Sequence, residues 1–491
     1  MKPLLAVLAL LLVSIPAAAQ VTFTLTADES RLDENAGTIP VRAVIANTSQ
    51  LSAAISLELR IVQPSPMQIL VDDPAWTCTP IQNGLRCTHA PFVAGQEVVL
   101  DFLLRLPERA GRAWVSGLVT YNIVGIGASN IYREAQATMW RRFAVTNSGD
   151  GNERGTLRGE INAVNAETAC RVWPCRIEIR GPMTIAPLTQ LPTLVANDVE
   201  IDADRVQLLG SALALGNGLH IRGDRMAVRG LTIQRFPENG IFYEPRLRNS
   251  QFVIEKNEIS FNGVRGIVVE RGIVTRSHIR DNVISHNLRS GIFVVTSTEP
   301  SLPLEPVITI ARNTIVKNGA SGIFFGPETQ TMLTTDNVIA ENAHMGVSVA
   351  RGATMIRFGA NSIFDNAGLA IDYHLDGPTA PAGLNDTGVT GAIVSATYDA
   401  ATNTTTIRGQ GPKDLGWLTF TYHLYANASV DSDGWAEAER FLGTAPSTAD
   451  GTFTLVVQGD LRGQYVTSHA TRGVDQAFYD TYELSRPLRV E

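Results

Sequence analysis

Apolar and polar positions alternate along most of the chain, which is typical of short strands with one buried face. In the middle of the chain a longer period is added to this alternation. An Asn-x-Ile-x-x-Asn pattern, usually followed by Gly-Ile or Gly-Val, occurs five times between Asn257 and Asn366. The first asparagines of successive repeats lie 25, 31, 24 and 24 residues apart. A period in this range is typical of a solenoid in which each repeat forms one coil.

Each repeat contains short apolar runs, such as residues 267–269, separated by Asn or Gly. Isoleucine and valine favour strands, whereas Asn and Gly tolerate the left-handed backbone of sharp bends, so we expect them at the bends. When coils stack about 4.8 Å apart, equivalent side chains stack as well. Inward Ile and Val would then fill a continuous core and the asparagines would form hydrogen-bonded ladders. The pattern therefore predicts a parallel β-helix.

The repeats closely resemble the right-handed parallel β-helices of bacterial secreted proteins and polysaccharide lyases, over residues 176–385. Residues 146–165, which contain Gly155-Thr156-Leu157-Arg158, resemble the segment that precedes the first coil in one such family, and residues 366–388 resemble the segment that follows the last coil. Leu157, Ile161 and Val164 recur at helical spacing after Thr156, a suitable cap, so spacing and resemblance both predict a short helix over 155–166 that covers the first coil. The resemblance implies a fold and not an activity, because this fold hosts enzymes, adhesins and proteins of no known activity.

Strand-like alternation continues on both sides of the repeats, with frequent turn residues, which favours antiparallel sandwiches. The stretch from Trp76 to Cys87 resembles the immunoglobulin-like repeat modules of bacterial surface proteins. The sequence thus predicts an all-β protein, a right-handed parallel β-helix flanked by N- and C-terminal β-sandwich (Ig-like) domains. The predicted boundaries are 1–20 for a signal peptide, 21–146 for an Ig-like β-sandwich, 147–392 for the β-helix with its N-terminal cap, and 393–491 for a C-terminal β-sandwich.

Residues 1–20 have the features of a signal peptide: Lys2, an apolar run over residues 4–13, and small residues at 17–19. No later stretch is long and apolar enough to predict a spanning helix. We therefore expect a secreted protein, located in the periplasm, at the cell surface or in the medium. The net charge of -8 argues against a nucleic-acid partner.

Four cysteines occur as two close pairs, Cys78 with Cys87 and Cys170 with Cys175. In an oxidising compartment two local disulfides are the simplest assignment, since crossed pairing would link separate domains. A metal site is the alternative, but no histidine has the spacing that would complete it.

Strand alternation also predicts which side chains face outward on the strand that follows each repeat glycine. One outward column would contain His220, Phe242, Val268, Phe293, Phe324 and Ser348. The next would begin with Arg222, Glu244 and Glu270, which would form a charged file.

These columns have two interpretations. His220, Phe242, Phe293 and Phe324 could bind a polysaccharide, because aromatic faces stack on sugars while charged groups bind hydroxyls or carboxylates. Alternatively, the aromatic rings pack beneath loops or a flanking domain, and the charges form a surface salt-bridge ladder. Arg222, Glu244 and Glu270 are the candidate catalytic residues, since two carboxylates about 5 Å apart suit a retaining glycosidase.

Signatures of polygalacturonase-like hydrolases are missing from the repeats. Arg265, Arg271 and Arg276, near Glu270, could serve an elimination mechanism, but the sequence does not fix their geometry. No cofactor is expected. Calcium is an open alternative at Asp431 and Asp433, where an ordinary Asp-Gly turn is the competing interpretation.

The sequence favours a secreted, non-enzymatic β-helix protein that binds a polysaccharide or another component of the cell envelope. The alternative is a polysaccharide lyase or glycoside hydrolase that acts on the β-helix face. The sequence leaves open which of these is correct.

Overall fold

The computed structural model describes residues 21–27, 37–48, 53–63, 68–106, 111–123, 127–167, 170, 174–247, 249–297, 306–375, 392–413, 418–431, 434–435, 437–474, 477–481 and 483–491. The predicted signal peptide and Asp433 lie outside these residues. The chain divides into two compact units, Met1–Arg141 and Arg142–Glu491.

The first unit consists of two antiparallel sheets with strand orders β1-β2-β7-β4 and β5-β6-β3-β8-β9. A disulfide joins Cys78 to Cys87, which are paired residues on neighbouring strands, and Trp76 is buried in the same core. The strands are β1 (Val21–Ala27), β2 (Thr38–Asn47), β3 (Ala53–Gln63), β4 (Gln68–Val71), β5 (Thr77–Ile81), β6 (Gly84–Phe92), β7 (Glu97–Arg105), β8 (Gly111–Ile123) and β9 (Gly127–Met139).

The second unit begins with β10 and the only helix among the described residues, α1 (Leu157–Ala166). The Thr156 side chain caps the helix by accepting a hydrogen bond from the Gly159 backbone N–H. Leu157, Ile161 and Val164 on one face of α1 join the core of the first coils. The predicted N-terminal cap is confirmed, and the Cys170–Cys175 disulfide closes the loop that follows it.

Parallel strands then wind into a β-helix with three faces. Two faces are joined by the long strands β13 and β15 and so form one continuous fifteen-stranded sheet. The third face is a seven-stranded sheet with the order β14-β16-β19-β22-β25-β28-β31. The strands are β10 (Arg141–Val145), β11 (Cys175–Ile179), β12 (Met183–Ile185), β13 (Val199–Leu209), β14 (Leu219–Ile221), β15 (Met226–Gln234), β16 (Ile241–Tyr243), β17 (Phe252–Glu255), β18 (Glu258–Ser260), β19 (Ile267–Ile273), β20 (Ser277–Arg280), β21 (Val283–Ser285), β22 (Ile292–Ser297), β23 (Ile308–Ala311), β24 (Thr314–Val316), β25 (Ile323–Phe325), β26 (Gln330–Thr335), β27 (Val338–Ala340), β28 (Val347–Val349), β29 (Thr354–Phe358), β30 (Ser362–Phe364) and β31 (Ile371–Tyr373).

The repeat asparagines form two buried ladders that run from coil to coil. In one of them Asn287 donates to the side-chain oxygen of Asn318, and Asn318 donates to that of Asn342. Each asparagine also donates to backbone carbonyl oxygens that the bends leave free. The ladders therefore satisfy polar groups that would otherwise be buried without partners.

The bends differ in one respect from the expectation that Asn and Gly would adopt the left-handed backbone. The left-handed residue is the one before the asparagine, as at Lys256, Asp281 and Lys317, with φ of 57°, 58° and 57°. The repeat glycines are required by close packing instead. A Cβ at Gly322 would lie 2.8 Å from the Gly346 carbonyl oxygen and 2.5 Å from Ile339 Cγ2 on the next coil.

A C-terminal module of two antiparallel sheets covers the last coil. Ala438 pairs with Ile363, the Tyr425 hydroxyl donates to the Gly359 carbonyl oxygen, and a Glu483 carboxylate oxygen accepts from the Tyr373 backbone N–H. The strands are β32 (Ala392–Asp399), β33 (Thr404–Gln410), β34 (Leu418–Asn427), β35 (Arg440–Pro446), β36 (Thr452–Gln458), β37 (Tyr465–Val474), β38 (Ala477–Thr481) and β39 (Leu488–Arg489). The predicted fold class, an all-β chain with a solenoid between antiparallel sheet modules, is confirmed.

Candidate functional site

The outer face of the seven-stranded sheet carries one side chain per coil in direct register. On each strand, the residues on either side of this side chain point into the core, as predicted. Examples are the fully buried residues Ile292, Val294, Ile323 and Phe325. The middle residues form the outer column, in the order His220, Phe242, Val268, Phe293, Phe324, Ser348 and Asp372. Neighbours in this column are separated by the strand spacing of about 4.8 Å.

Phe293 and Phe324 lie on adjacent coils and stack face to face. Their ring centroids are 5.2 Å apart and their planes differ by 10°. The guanidinium carbon of Arg265 lies 3.8 Å from the centroid of the Phe293 ring. Both rings are half-buried, and together they form an apolar platform on which the Arg265 cation lies over the Phe293 ring.

A cleft of about 470 Å³ opens beside these rings. Besides Phe293 and Phe324, its lining includes three basic side chains, Arg265, Arg289 and His344, and three buried serines, Ser290, Ser321 and Ser348. The hydroxyl oxygens of Ser321 and Ser348 lie 2.6 Å apart, within hydrogen-bond distance. Among the described residues that line the cleft, none is Asp or Glu.

The guanidinium of Arg265 is in an unfavourable environment. Burial lowers the pKa of Arg265, the positive charge of Arg289 lowers it further, and the negative charge of Glu270 opposes both effects. The buried Nε of Arg265 has no hydrogen-bond partner among the described residues. The cleft thus presents positive charge that the protein does not fully compensate.

A second polar cluster, the His220 group, lies on the first coils of the same face. His220 Nδ1 is 3.1 Å from Thr193 Oγ1, and His220 Nε2 is 3.4 Å from Glu244 Oε2. Arg222 Nε forms an ion pair with the same Glu244 oxygen at 3.2 Å. Burial, together with the positive charges of Arg222 and Arg246, lowers the pKa of His220 despite its contact with Glu244, so the imidazole favours its neutral form.

The structure thus brings the predicted site residues together in two groups. His220, Phe242, Arg222 and Glu244 belong to the first, where the His220 and Phe242 rings are 5.0 Å apart, whereas Phe293 and Phe324 belong to the cleft. Glu270 is half-buried and in register with Val295. Its negative charge raises the pKa of Arg265. Sequence reasoning connected Arg265 with elimination chemistry and missed Arg289, Ser321 and His344. The signal that could have found Ser321 and Arg265 is their shared position directly before a repeat glycine.

The calcium candidate at Asp431 and Asp433 stays a prediction, since Asp433 lies outside the described residues. In the described part of that loop, the Gly434 backbone N–H donates to the Asp431 carbonyl oxygen, and Gly434 has a φ of 84°, as in a turn. No group of three or more His, Cys, Asp or Glu side chains in the described part of the chain converges as a metal site would.

Residues 217–383 match the protein family described as the right handed beta helix region. This part of the chain is similar in sequence to that family. The match covers the coils that carry both the outer column and the asparagine ladders. Within the described residues, no helix has the length and apolar character needed to cross a membrane.

Three solved structures match parts of the chain at low identity and low TM-score. The catalytic unit of a thermostable GH87 α-1,3-glucanase from Streptomyces thermodiastaticus is 13% identical over 67% of this chain and 69% of its own, with a TM-score of 0.30. The pectate lyase Pel9A is 13% identical over 50% of this chain and 82% of its own, with a TM-score of 0.29. The collagen binding subdomain of the Enterococcus faecalis surface protein ACE is 11% identical over 24% of this chain and 95% of its own, with a TM-score of 0.18. No curated protein matches the chain. At these values the matches carry no information about activity.

Proposed function

We propose that this protein is exported and binds a polysaccharide of the cell surface or envelope through the outer face of the seven-stranded sheet, without cleaving it. The observation that carries the proposal is the stacked Phe293–Phe324 pair, with Arg265 over the Phe293 ring, in a cleft of about 470 Å³. The parts of the two rings that stacking leaves uncovered can contact the C–H groups of a sugar, while adjacent hydroxyl and guanidinium groups bind sugar oxygens. The two disulfides suit an oxidising compartment.

The outer column also has the dimensions for an extended ligand. Three strand steps separate His220 from Phe293, a distance of about 14 Å at the usual strand spacing. Val268 lies between them and is buried, so a bound chain would contact the His220 group at one end and the phenylalanine platform at the other, without touching the middle of the column. We therefore expect longer oligosaccharides to bind more tightly than single sugars.

The alanine variants Phe293→Ala and Phe324→Ala are each expected to weaken binding of the preferred oligosaccharide about tenfold, or about 1.4 kcal/mol, because each removes half of the platform. Isothermal titration calorimetry of the purified protein against a panel of neutral and acidic oligosaccharides measures this. Phe261→Ala is the matched control, because Phe261 is 53% exposed and stacks on His286, outside the lining of the cleft. Binding that survives both cleft substitutions unchanged would contradict the proposal.

A second candidate function is glycan cleavage by a lyase or hydrolase centred on the His220 group. The favouring observation is the neutral imidazole of His220 in contact with Glu244, which is itself paired with Arg222. A neutral histidine can accept a proton and an arginine can stabilise a developing anion. However, His220 and Arg222 both contact the same Glu244 oxygen, as in a structural ion-pair cluster. Binding without catalysis is therefore the function that the geometry supports best.

A further inference from the structure

We infer that the ligand of the cleft is an acidic saccharide, whose carboxylate or sulfate group contacts Arg265 and Arg289 directly. This inference rests on the proposed function and adds the chemical class of the ligand. It starts from the way in which charge is balanced elsewhere on the β-helix.

Several other arginines on the coils are paired with carboxylates. Arg229 contacts Glu255 at 2.7 Å and Glu200 at 3.1 Å, and Arg280 contacts Glu255 at 2.5 Å. Arg312 forms an ion pair with Asp281 at 2.8 Å. In these ion pairs each positive charge has a negative neighbour on an adjacent coil. Their charges are therefore balanced without a ligand.

The cleft departs from this pattern. Arg265 and Arg289 form no ion pair within the described part of the chain, and the positive charge of Arg289 acts unfavourably on Arg265. Glu270 opposes this effect, but its own effect on Arg265 is smaller than that of Arg289. The guanidinium carbon of Arg265 lies 3.8 Å from the centroid of the Phe293 ring, so its charge is held beside the platform.

An anionic group bound between the two guanidinium groups would supply the missing charge and hydrogen-bond acceptors. Carboxylates and sulfates match the planar fork of arginine. A sugar that carries such a group can at the same time lie on the Phe293 and Phe324 rings. Because no carboxylate lines the cleft among the described residues, the anion has direct arginine partners and does not need a bridging divalent cation.

The test compares three probes of equal length: an oligogalacturonate, a sulfated galacto-oligosaccharide and the uncharged galacto-oligosaccharide. We expect the wild-type protein to bind at least one acidic probe about ten times more tightly than the neutral probe at low ionic strength. The two acidic probes distinguish a carboxylate from a sulfate ligand. The same titrations in the presence of a chelator are expected to give unchanged affinities.

Arg265→Gln and Arg289→Gln are each expected to reduce the preference for the acidic probe over the neutral probe to about twofold. Arg289 is exposed, so its substitution tests the inference without affecting the platform. Arg408→Gln is the matched control, because it removes the same charge from an exposed strand position of the C-terminal module.

Equal affinity for acidic and neutral probes, or loss of acidic binding in the chelator, would overturn the inference and leave the proposed function in place. Failure of all three probes and of the wider oligosaccharide panel would overturn both.

Discussion

Replacing Asn318 with alanine is expected to lower the free energy of unfolding by about 4 kcal/mol. The Asn318 side-chain oxygen accepts from the Asn287 backbone N–H at 3.2 Å and from its side-chain amide at 3.0 Å. Its own amide donates to the Ile284 carbonyl oxygen and to Asn342. All these groups are buried, so the substitution removes buried hydrogen bonds to both neighbouring coils.

Urea-induced unfolding of the wild-type protein and the variant, followed by circular dichroism, measures the change. Asn152→Ala is the matched control, because Asn152 is exposed and its side-chain oxygen accepts from the Asn162 side chain at the surface. We expect this control to stay within about 0.5 kcal/mol of the wild type. A similar, small effect in both variants would show that the ladder is not a main source of stability.

The free energy of unfolding is expected to fall by about 2 kcal/mol between pH 6.5 and pH 8 because of Glu437. Burial raises the pKa of Glu437 from its ordinary 4.5 to about 8, with a further contribution from Asp431. A Glu437 carboxylate oxygen lies 3.5 Å from the Asn366 backbone N–H at the end of one asparagine ladder. In this pH range the folded protein retains a proton that the unfolded chain has lost, so raising the pH favours unfolding.

Buried histidines have the opposite effect at lower pH. Burial lowers the pKa of His423 to about 4 and that of His469 well below its ordinary value. The unfolded chain therefore binds more protons than the folded protein below about pH 6.5, and stability rises with pH there. The two effects together predict a stability maximum near pH 6.5.

Thermal and urea unfolding at intervals from pH 5 to pH 9 measures this profile. The Glu437→Gln variant is expected to lose the decline above pH 6.5, whereas the exposed Glu341→Gln control retains it. A decline of equal size in Glu437→Gln and in the wild type would contradict the assignment to Glu437.

The sequence was sufficient to predict the coils because their determinants are local and periodic. The Ile and Val positions next to each repeat glycine, the ladder asparagines and Thr156 before α1 each follow from spacing and residue type. The two local disulfides followed from the short separations of the cysteines. Stacking then fixed which side chains face outward, and the register of His220 with Phe242 and of Phe293 with Phe324 agrees with this.

The cleft could not be predicted in the same way. Arg265, Arg289 and His344 lie at bends of different coils, and a period does not determine how far a bend side chain reaches across its neighbours. Burial of Val268 and Ser348, although they face outward, also depends on such neighbours. The contact between Glu437 and Asn366 joins residues 71 positions apart, and strand alternation carries no information about it.

Incubation of the purified protein with a polysaccharide that it binds, followed by measurement of the polysaccharide chain length, tests the central claim of binding without cleavage. We predict that the wild-type protein, Glu244→Gln and Glu270→Gln all leave the chain length unchanged, while Phe324→Ala binds the chains more weakly. Shortening of the chains by the wild-type protein that is lost in both glutamate variants would contradict the claim and identify the protein as an enzyme.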